Sequence, residues 1–430
     1  MAADKIRIVY RTLDTKASGY WGLLAAFGLL ALIGAGAAYT MEHAGHWITG
    51  MNNHIVWGTP HVFAVFLIVA ASGALNVASV SSVFGRDMYK PLARLSGLLA
   101  LCLLAGGLAA LLLDLGRPDR LLVTMTNINP TSIFSWNVIL YSGFFAIVTF
   151  YLWTMMDRSV GRFYKPAAMS AFIWRLILTT GTGSIFGFLV VREAYDAAIM
   201  APLFIAMSLA FGKAIFMLVM LAAYTWTNRP LGTVVLTRLQ RLTGIMVAAT
   251  AYFLAIQHIT GIYAAEHRAY EAWLLTGGTI YTSLFWLVGV GIGIVVPLVL
   301  LLHPQMGGNR VAIVGASIAV LVGGLAHIYV IIIGGQAFPM VLFPGMEVSS
   351  AVFDGVVAPY APSLPEVLLG IGGIGVALLL LTMALGALRF LPESLADAVV
   401  APNHVPTATD TSLEDGTDDA SPNAVAAPAE

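Results

Sequence analysis

Long runs of apolar residues, each about as long as a membrane is thick, dominate this chain. A helix needs roughly 20 apolar residues to cross a bilayer, whereas a barrel strand crosses in about ten alternating residues. These runs predict an all-α polytopic membrane protein with about ten crossings. The predicted crossings cover approximately 20–40, 58–83, 92–114, 134–156, 171–191, 198–226, 241–263, 280–302, 311–335 and 366–390.

The whole-chain composition agrees with this fold class and limits the chemistry. Only 10% of the 430 residues are charged, against about a quarter in a soluble domain. A net charge of −1 makes nucleic acid an unexpected partner. The single cysteine, Cys102, excludes an iron–sulfur cluster held by this chain alone, a c-type haem site and an internal disulfide. We expect no metal site.

Two short segments flank the apolar body. Residues 1–19 are basic, and no clear small-residue cleavage site precedes the first apolar run, so we expect a retained first helix and not a signal peptide. Residues 20–392 form the predicted membrane domain. Residues 393–430 are rich in Ala, Pro, Thr and acidic residues, which predicts a disordered, acidic cytoplasmic tail.

The distribution of Lys and Arg predicts the orientation, because cytoplasmic loops carry an excess of both. The opposite side has only Arg117, Arg120, Arg192 and Arg268. Fifteen of the 21 fall on the side of the N-terminus: Lys5, Arg7, Arg11, Lys16, Arg86, Lys90, Arg94, Arg158, Arg162, Lys165, Arg229, Arg238, Arg241, Arg310 and Arg389. We therefore predict a multi-pass protein of the bacterial inner membrane with both termini in the cytoplasm.

A polar connection joins the third and fourth crossings. It contains Asp114-Leu-Gly-Arg-Pro118 and then Asn129-Pro-Thr-Ser-Ile-Phe-Ser-Trp136. An ordinary polar loop with helix caps also explains such residues. Within it, Asp114 could simply pair with Arg117, three residues on, and Trp136 could be an ordinary residue of the interfacial aromatic belt.

Most polar residues at membrane depth fall toward the same predicted outer side as this loop. They are His61, Asp114, Trp136, Asn137, Glu193, Gln257, His258 and His327. Ionisable groups in a membrane are functional candidates, although each histidine alone could serve as a helix–helix hydrogen bond. Together they predict an outer polar pocket, which suits a quinone because its two oxygens need hydrogen-bond partners and its redox chemistry moves protons.

Two cations lie elsewhere within apolar runs. Lys213 is near the middle of the sixth crossing, where it either bonds to backbone carbonyls or an acid, or relays protons toward the cytoplasm. Arg175 falls near the inner end of the predicted fifth crossing, so we expect it to snorkel to the surface.

The motifs of the 114–136 connection resemble the signature of the NrfD/PsrC family of quinone-interacting membrane subunits. Trp57-Gly58 at the start of the second crossing and Gly334-Gly335-Gln336 after the ninth also match that family. The resemblance covers roughly residues 15–392. It is nearest to the ten-helix, DsrP-like branch found in sulfur metabolism.

The resemblance implies two four-helix bundles, formed by helices 2–5 and 6–9, plus flanking helices. It also implies a menaquinone or ubiquinone site near the outer surface, no haem or iron–sulfur cluster in this chain, and a ferredoxin-like iron–sulfur partner subunit. That partner would exchange electrons with a further catalytic or multihaem cytochrome subunit, and we expect it to dock on residues 115–133 and 336–365.

For the site, we assign Asp114 and His258 to proton chemistry. The expected quinone-binding residues are His61, Arg117, Trp136, Asn137, Gln257 and His327, with Lys213 and Glu193 as relay residues. Two other functions fit the sequence. A secondary transporter would use a midplane site built from broken helices, and a b-haem electron carrier would use histidines at matching depth.

Overall fold

The computed structural model describes residues 8–306, 308–340 and 355–400, except for the side chain of Thr124. In chain order its helices are α1 (Ser18–Ala44), α2 (Thr59–Ser82), α3 (Asp87–Leu113), α4 (Leu121–Thr126), α5 (Ile133–Met156), α6 (Tyr164–Gly187), α7 (Met200–Trp226), α8 (Thr233–Tyr263), α9 (Arg268–Thr276), α10 (Ile280–Leu302), α11 (Arg310–Ala337), α12 (Leu364–Ala387) and α13 (Asp397–Val400). Single 3₁₀ turns form at His46–Ile48, Pro118–Arg120, Gly161–Phe163 and Pro304–Met306.

The predicted fold class is confirmed: the protein is an all-α, multi-pass membrane protein. Nine helices within the described ranges are long and apolar enough to cross a membrane, namely α1, α2, α3, α5, α7, α8, α10, α11 and α12. The remaining long helix, α6, has 24 residues and corresponds to the predicted fifth crossing. It is less apolar because it carries Lys165, Arg175 and several Thr and Ser residues.

The long helices pack in two rings of four. The first bundle consists of α2, α3, α5 and α6, and the second of α7, α8, α10 and α11. Helix α12 lies against α2 and α3, and α1 packs on the far side of α12. This is the arrangement of two bundles and flanking helices that the resemblance implies.

The two bundles meet where the backbones of α2 and α7 touch. A Cβ atom at Gly73 would overlap the carbonyl oxygen of Ser208, and one at Gly212 would overlap the backbone nitrogen of Ala74. Small residues allow helices to approach this closely in a membrane, where dispersion contacts and not hydrophobic burial drive association.

Both ends of the described chain meet at one end of the molecule. Strands β1 (Tyr10–Arg11) and β2 (Leu391–Pro392) pair antiparallel, and we call this the terminal end. The opposite end, which carries Asp114, is the Asp114 end. Residues 393–400, which the sequence assigns to the tail, are ordered: Leu395 is fully buried, and the Asp397 carboxylate accepts hydrogen bonds from the backbone at the start of α8. Residues 401–430 of the predicted tail lie outside the described residues.

Two helices of the second bundle depart from α-helical geometry. Helix α10 is π-helical over Leu284–Val295, and α11 is π-helical over Val330–Gly334. Such segments are rare and are frequent near functional sites. Here the second one begins three residues after His327.

Candidate functional site

Asp114 follows directly after the last residue of α3. Its Oδ1 atom is buried, and no described residue forms a hydrogen bond with it. The interpretation in which Asp114 pairs with Arg117 is wrong. Arg117 instead forms a two-point ion pair with Asp119, with Nε–Oδ1 and Nη2–Oδ2 distances of 3.1 and 3.0 Å, and both side chains are exposed.

The environment of Asp114 favours the neutral acid. Burial, and secondarily the negative charge of Glu366, raise the pKa of the Asp114 carboxyl to about 8. The group therefore carries a proton at neutral pH and can donate it or a hydrogen bond. A neutral carboxylic acid of this kind is well suited to a carbonyl or hydroxyl oxygen of a ligand.

A stack of rings lies at the same end of the first bundle. The Trp57 and His61 rings are nearly parallel, with centroids 5.4 Å apart, and Trp57 also contacts Phe134 and Phe186. The His61 ring makes no hydrogen bond to any described side chain or backbone group.

The packing of α3 on α2 sets the depth of these groups. A Cβ atom at Gly107 would lie 3.0 Å from the carbonyl oxygen of Ala64, and the two helices run antiparallel. Asp114 is seven residues beyond Gly107, about 10 Å along the helix. It therefore lies near the level of the Trp57–His61 ring stack.

Glu366 supports the same end from α12. It is fully buried and accepts hydrogen bonds from the Tyr360 hydroxyl at 2.7 Å and from the backbone of Gly50 and Ser363. The Tyr360 hydroxyl also lies 2.9 Å from the Thr59 hydroxyl. Sequence reasoning missed Glu366, although it is the only acidic residue of the predicted last crossing and that alone could have identified it.

Gln336 fixes Trp57. Its Oε1 accepts from the backbone nitrogens of Val56 and Trp57, and its Nε2 donates to the carbonyl of Trp57 at 3.0 Å. Arg192 donates to the carbonyl oxygens of Gln336 and His54. The end of α11 thus holds the segment before α2, which explains why a glutamine follows the Gly-Gly pair.

Three other predicted site residues have mainly local contacts. Trp136 is half exposed and donates from its indole nitrogen to the carbonyl of Pro130. Asn137 donates to the carbonyl of Gly181 on α6, while its Oδ1 is buried with no partner in the described part of the chain. The Glu193 side chain is exposed, and its backbone oxygen accepts from His267.

A second polar cluster lies inside the second bundle. His258 Nδ1 is 2.7 Å from Oε2 of Glu271, and both residues are buried. The Phe285 ring separates His258 from His327, with centroid distances of 4.8 and 6.2 Å. His258 Nε2, both ring nitrogens of His327 and Oε1 of Gln257 find no hydrogen-bond partner among the described residues.

His327 borders a small cavity between α7, α8, α10 and α11. The cavity has a volume of about 20 Å³, and its other walls include Phe211, Thr250 and Gly293. A site of this size holds about one water molecule. The second cluster is therefore too tight for a quinone ring but large enough for a single hydrogen-bonded water.

The structure divides the predicted outer pocket into two places. Asp114 and His61 belong to the first bundle and its α12 neighbour, whereas His258, Gln257 and His327 belong to the second bundle. Within the described ranges, no group of three His, Cys, Asp or Glu side chains could hold a metal ion.

Arg175 and Lys213 form a third cluster in the middle of the molecule. The prediction that Arg175 snorkels to the surface is wrong: α6 begins at Tyr164, earlier than predicted, so Arg175 is mid-helix, 3% exposed, and donates to Oδ1 of Asn76. Lys213 Nζ is buried with no partner in the described residues. Glu193 precedes α7 and lies about 20 Å from Lys213 along the helix axis, so the two predicted relay residues are not in contact.

Comparison with known proteins agrees with this architecture. Residues 47–340 match the family model described as "Polysulphide reductase, NrfD". The chain is 27% identical to the Hdr-like menaquinol oxidoreductase integral membrane subunit of Archaeoglobus fulgidus, over 91% of this chain and 99% of that protein. It is 29% identical to a putative dimethyl sulfoxide reductase membrane subunit of Halobacterium salinarum, over 90% and 94%.

A further relative is one polypeptide of the polysulfide reductase of Wolinella succinogenes, which is 26% identical over 66% of this chain and 96% of that protein. The family match covers more than half of the chain and includes nearly all of the residues described above, from Gly50 to Gln336. The protein belongs to the NrfD family of polysulphide reductase membrane subunits.

Proposed function

We propose that this chain is the quinone-binding integral membrane subunit of a respiratory or sulfur-metabolism oxidoreductase. It exchanges electrons between the membrane quinone pool and a ferredoxin-like iron–sulfur subunit. The family membership supports this proposal, as do the relatives, which include a menaquinol oxidoreductase membrane subunit and polypeptides of other reductases.

One observation carries the proposal: the unpartnered, buried Oδ1 of Asp114 beside the Trp57–His61 ring stack. Binding sites for small ligands combine apolar and aromatic walls with a few polar groups that lack protein partners. These residues suit a flat ring with oxygen substituents, so Asp114, His61 and Trp57 would hold the quinone.

A bound quinone supplies two-electron chemistry that is coupled to two protons. Asp114 carries a proton at neutral pH, so it can hold a proton for a ligand oxygen or take one back. His61 provides ring nitrogens that have no described partner. Gln336 keeps Trp57 in place through the backbone on both sides of the peptide bond.

The second cluster has a different role in this proposal. The Glu271 carboxylate orients the His258 ring and leaves Nε2 as the free nitrogen, which suits proton transfer within the second bundle. Gln257 and His327 lie near this dyad, and Lys213 would extend the relay. Trp136, Asn137 and Arg117 stay at the rim of the first site.

The surface of the Asp114 end suits a partner subunit. Exposed apolar side chains cluster there, including Trp47 at 81% and Leu122 at 71% exposure, and apolar surface outside the bilayer marks an interaction site. We assign the iron–sulfur partner to this face, and beyond it a catalytic or multihaem cytochrome subunit. Residues 341–354 of the predicted docking loop lie outside the described residues. In this assignment the Asp114 end faces outward from a bacterial inner membrane.

Binding of a fluorescent quinol analogue to the purified protein tests the proposal. Asp114→Asn should weaken binding at least severalfold, because the neutral amide keeps the shape but loses the exchangeable acid proton. Asp119→Asn is the matched control, since Asp119 is a nearby exposed carboxylate, and it should bind as wild type. His258→Ala should also bind normally, and weakening by His258→Ala alone would move the site to the second bundle.

A further inference from the structure

A deep groove opens on the side of the molecule between the α1–α12 pair and the second bundle. It has a volume of about 1560 Å³ and extends from the terminal end to Phe63 on α2. Its walls are apolar side chains of α1, α2, α3, α7, α11 and α12, such as Phe27, Phe66 and Leu378. This volume exceeds the roughly 300–1,000 Å³ of sites for drug-sized molecules.

The length of the groove matches one leaflet of a bilayer. On α7 its lining runs from Ile215 to Trp226, and on α12 from Ile374 to Leu385. Each stretch is about 17 Å long at 1.5 Å per residue, close to half of the roughly 30 Å hydrocarbon core. An acyl chain that enters from the terminal side would fill this length.

Polar residues close the groove at the terminal end, where cations outnumber carboxylates. Arg11, Lys16 and Arg229 border it together with Asp14 and Glu393. Arg11 pairs with Glu393 at 3.3 Å. Within the described ranges, neither Lys16 nor Arg229 forms an ion pair, so the rim keeps one uncompensated positive charge.

Arg229 has a free donor at this rim. Its Nη2 donates to the carbonyl oxygen of Thr12 at 2.9 Å. Its Nη1 is buried and has no hydrogen-bond partner in the described structure. A buried, unsatisfied guanidinium nitrogen is costly, and a phosphate oxygen is a natural acceptor for it.

We propose that the groove holds one anionic phospholipid as a resident ligand. Arg229 and Lys16 bind its phosphate at the terminal end, and the apolar walls hold its acyl chains. Basic pockets between membrane helices on the cytoplasmic side are typical of this recognition. The single negative charge of the phosphodiester matches the excess charge of the rim.

Native mass spectrometry and phosphorus analysis of the full-length protein in mild detergent test this proposal. The expected result is one retained phospholipid. After delipidation, added phosphatidylglycerol should rebind and raise the melting temperature, whereas phosphatidylcholine should bind more weakly. Arg229→Gln and Lys16→Gln should each weaken phosphatidylglycerol binding by about fivefold, the effect expected for one cation near an anionic lipid.

Two further variants complete the test. Arg158→Gln removes an exposed cation at the same end but away from the groove, and it should retain the lipid as wild type does. Ala222→Trp fills the groove and leaves the cations in place, and it should release the lipid. Equal binding of both lipids, or unchanged binding in Arg229→Gln and Lys16→Gln, would overturn the proposal. Recovery of an isoprenoid quinone in place of the phospholipid would do the same.

Discussion

His258 and Glu271, thirteen residues apart in sequence, lie 2.7 Å apart inside the second bundle. The short helix α9 carries Glu271 back against α8, where a Cβ atom at Gly261 would overlap the carboxylate. Neither residue is exposed enough for water to replace the other as a partner. The pair therefore depends on both members being present.

Removing the Glu271 carboxylate should destabilise the protein. Glu271→Ala leaves the Nδ1 atom of His258 buried and unpaired, which costs about 1–3 kcal/mol. Glu271→Gln keeps a hydrogen-bond acceptor and should cost less. Thermal unfolding in detergent measures both. Glu266→Gln alters an exposed carboxylate in the same connection and is the control. If Glu271→Ala melts like that control, the contact contributes nothing to stability.

The pKa of Asp114 predicts how stability depends on pH. Because the folded-state pKa is raised to about 8 from an ordinary value of 3.8, the contribution of the neutral acid is complete below the unfolded-state value and is lost as the pH rises toward 8. Asp114→Asn cannot ionise. Its melting temperature should therefore rise relative to that of wild type as the pH increases through this window. Parallel curves for the two proteins would show that Asp114 titrates normally.

Lys213 should reduce stability where it stands. Its Nζ is buried without a described partner, and Arg175 is a second buried cation nearby. Lys213→Met keeps the shape and removes the charge, so it should raise stability by about 1–3 kcal/mol. Lys165→Met, an exposed site on α6, should have little effect. A large loss of stability in Lys213→Met would mean that the ammonium has a partner outside the described residues.

The same variant tests the proton relay that we propose for Lys213. If the relay operates, Lys213→Met should lower quinol turnover in the assembled complex even though the protein is more stable. Unchanged turnover at several pH values would remove Lys213 from the proton path.

The contact between the two bundles should not tolerate a side chain. Gly73→Ala places a methyl group where the Ser208 carbonyl oxygen lies, so α2 and α7 would have to separate and lose their packing. We expect a poor yield of monodisperse protein by size-exclusion chromatography. Gly28→Ala, where a Cβ atom meets nothing within 4 Å, should behave as wild type. Normal behaviour of Gly73→Ala would show that this crossing can shift.

The sequence predicted well what depends on the chain locally. Apolar run length identified the crossings because a bilayer sets the length of a helix, and each of the ten runs corresponds to a helix of 23 to 31 residues. The run 171–191 was displaced because Lys165 and the polar residues near it weaken the apolar signal at the start of α6. That shift moved Arg175 from a predicted surface position to the buried centre.

The candidate site shows the same division. Sequence placed Asp114 and His61 near one end of the molecule, because position along a helix follows from residue number. It could not show that Arg117 turns to Asp119, that Glu366 lies beneath the site, or that His258 and His327 sit in the other bundle. Those facts depend on which face each helix turns toward its neighbours. In a membrane chain that is apolar on all sides, periodicity does not reveal that face, and only the packing of the helices decides it.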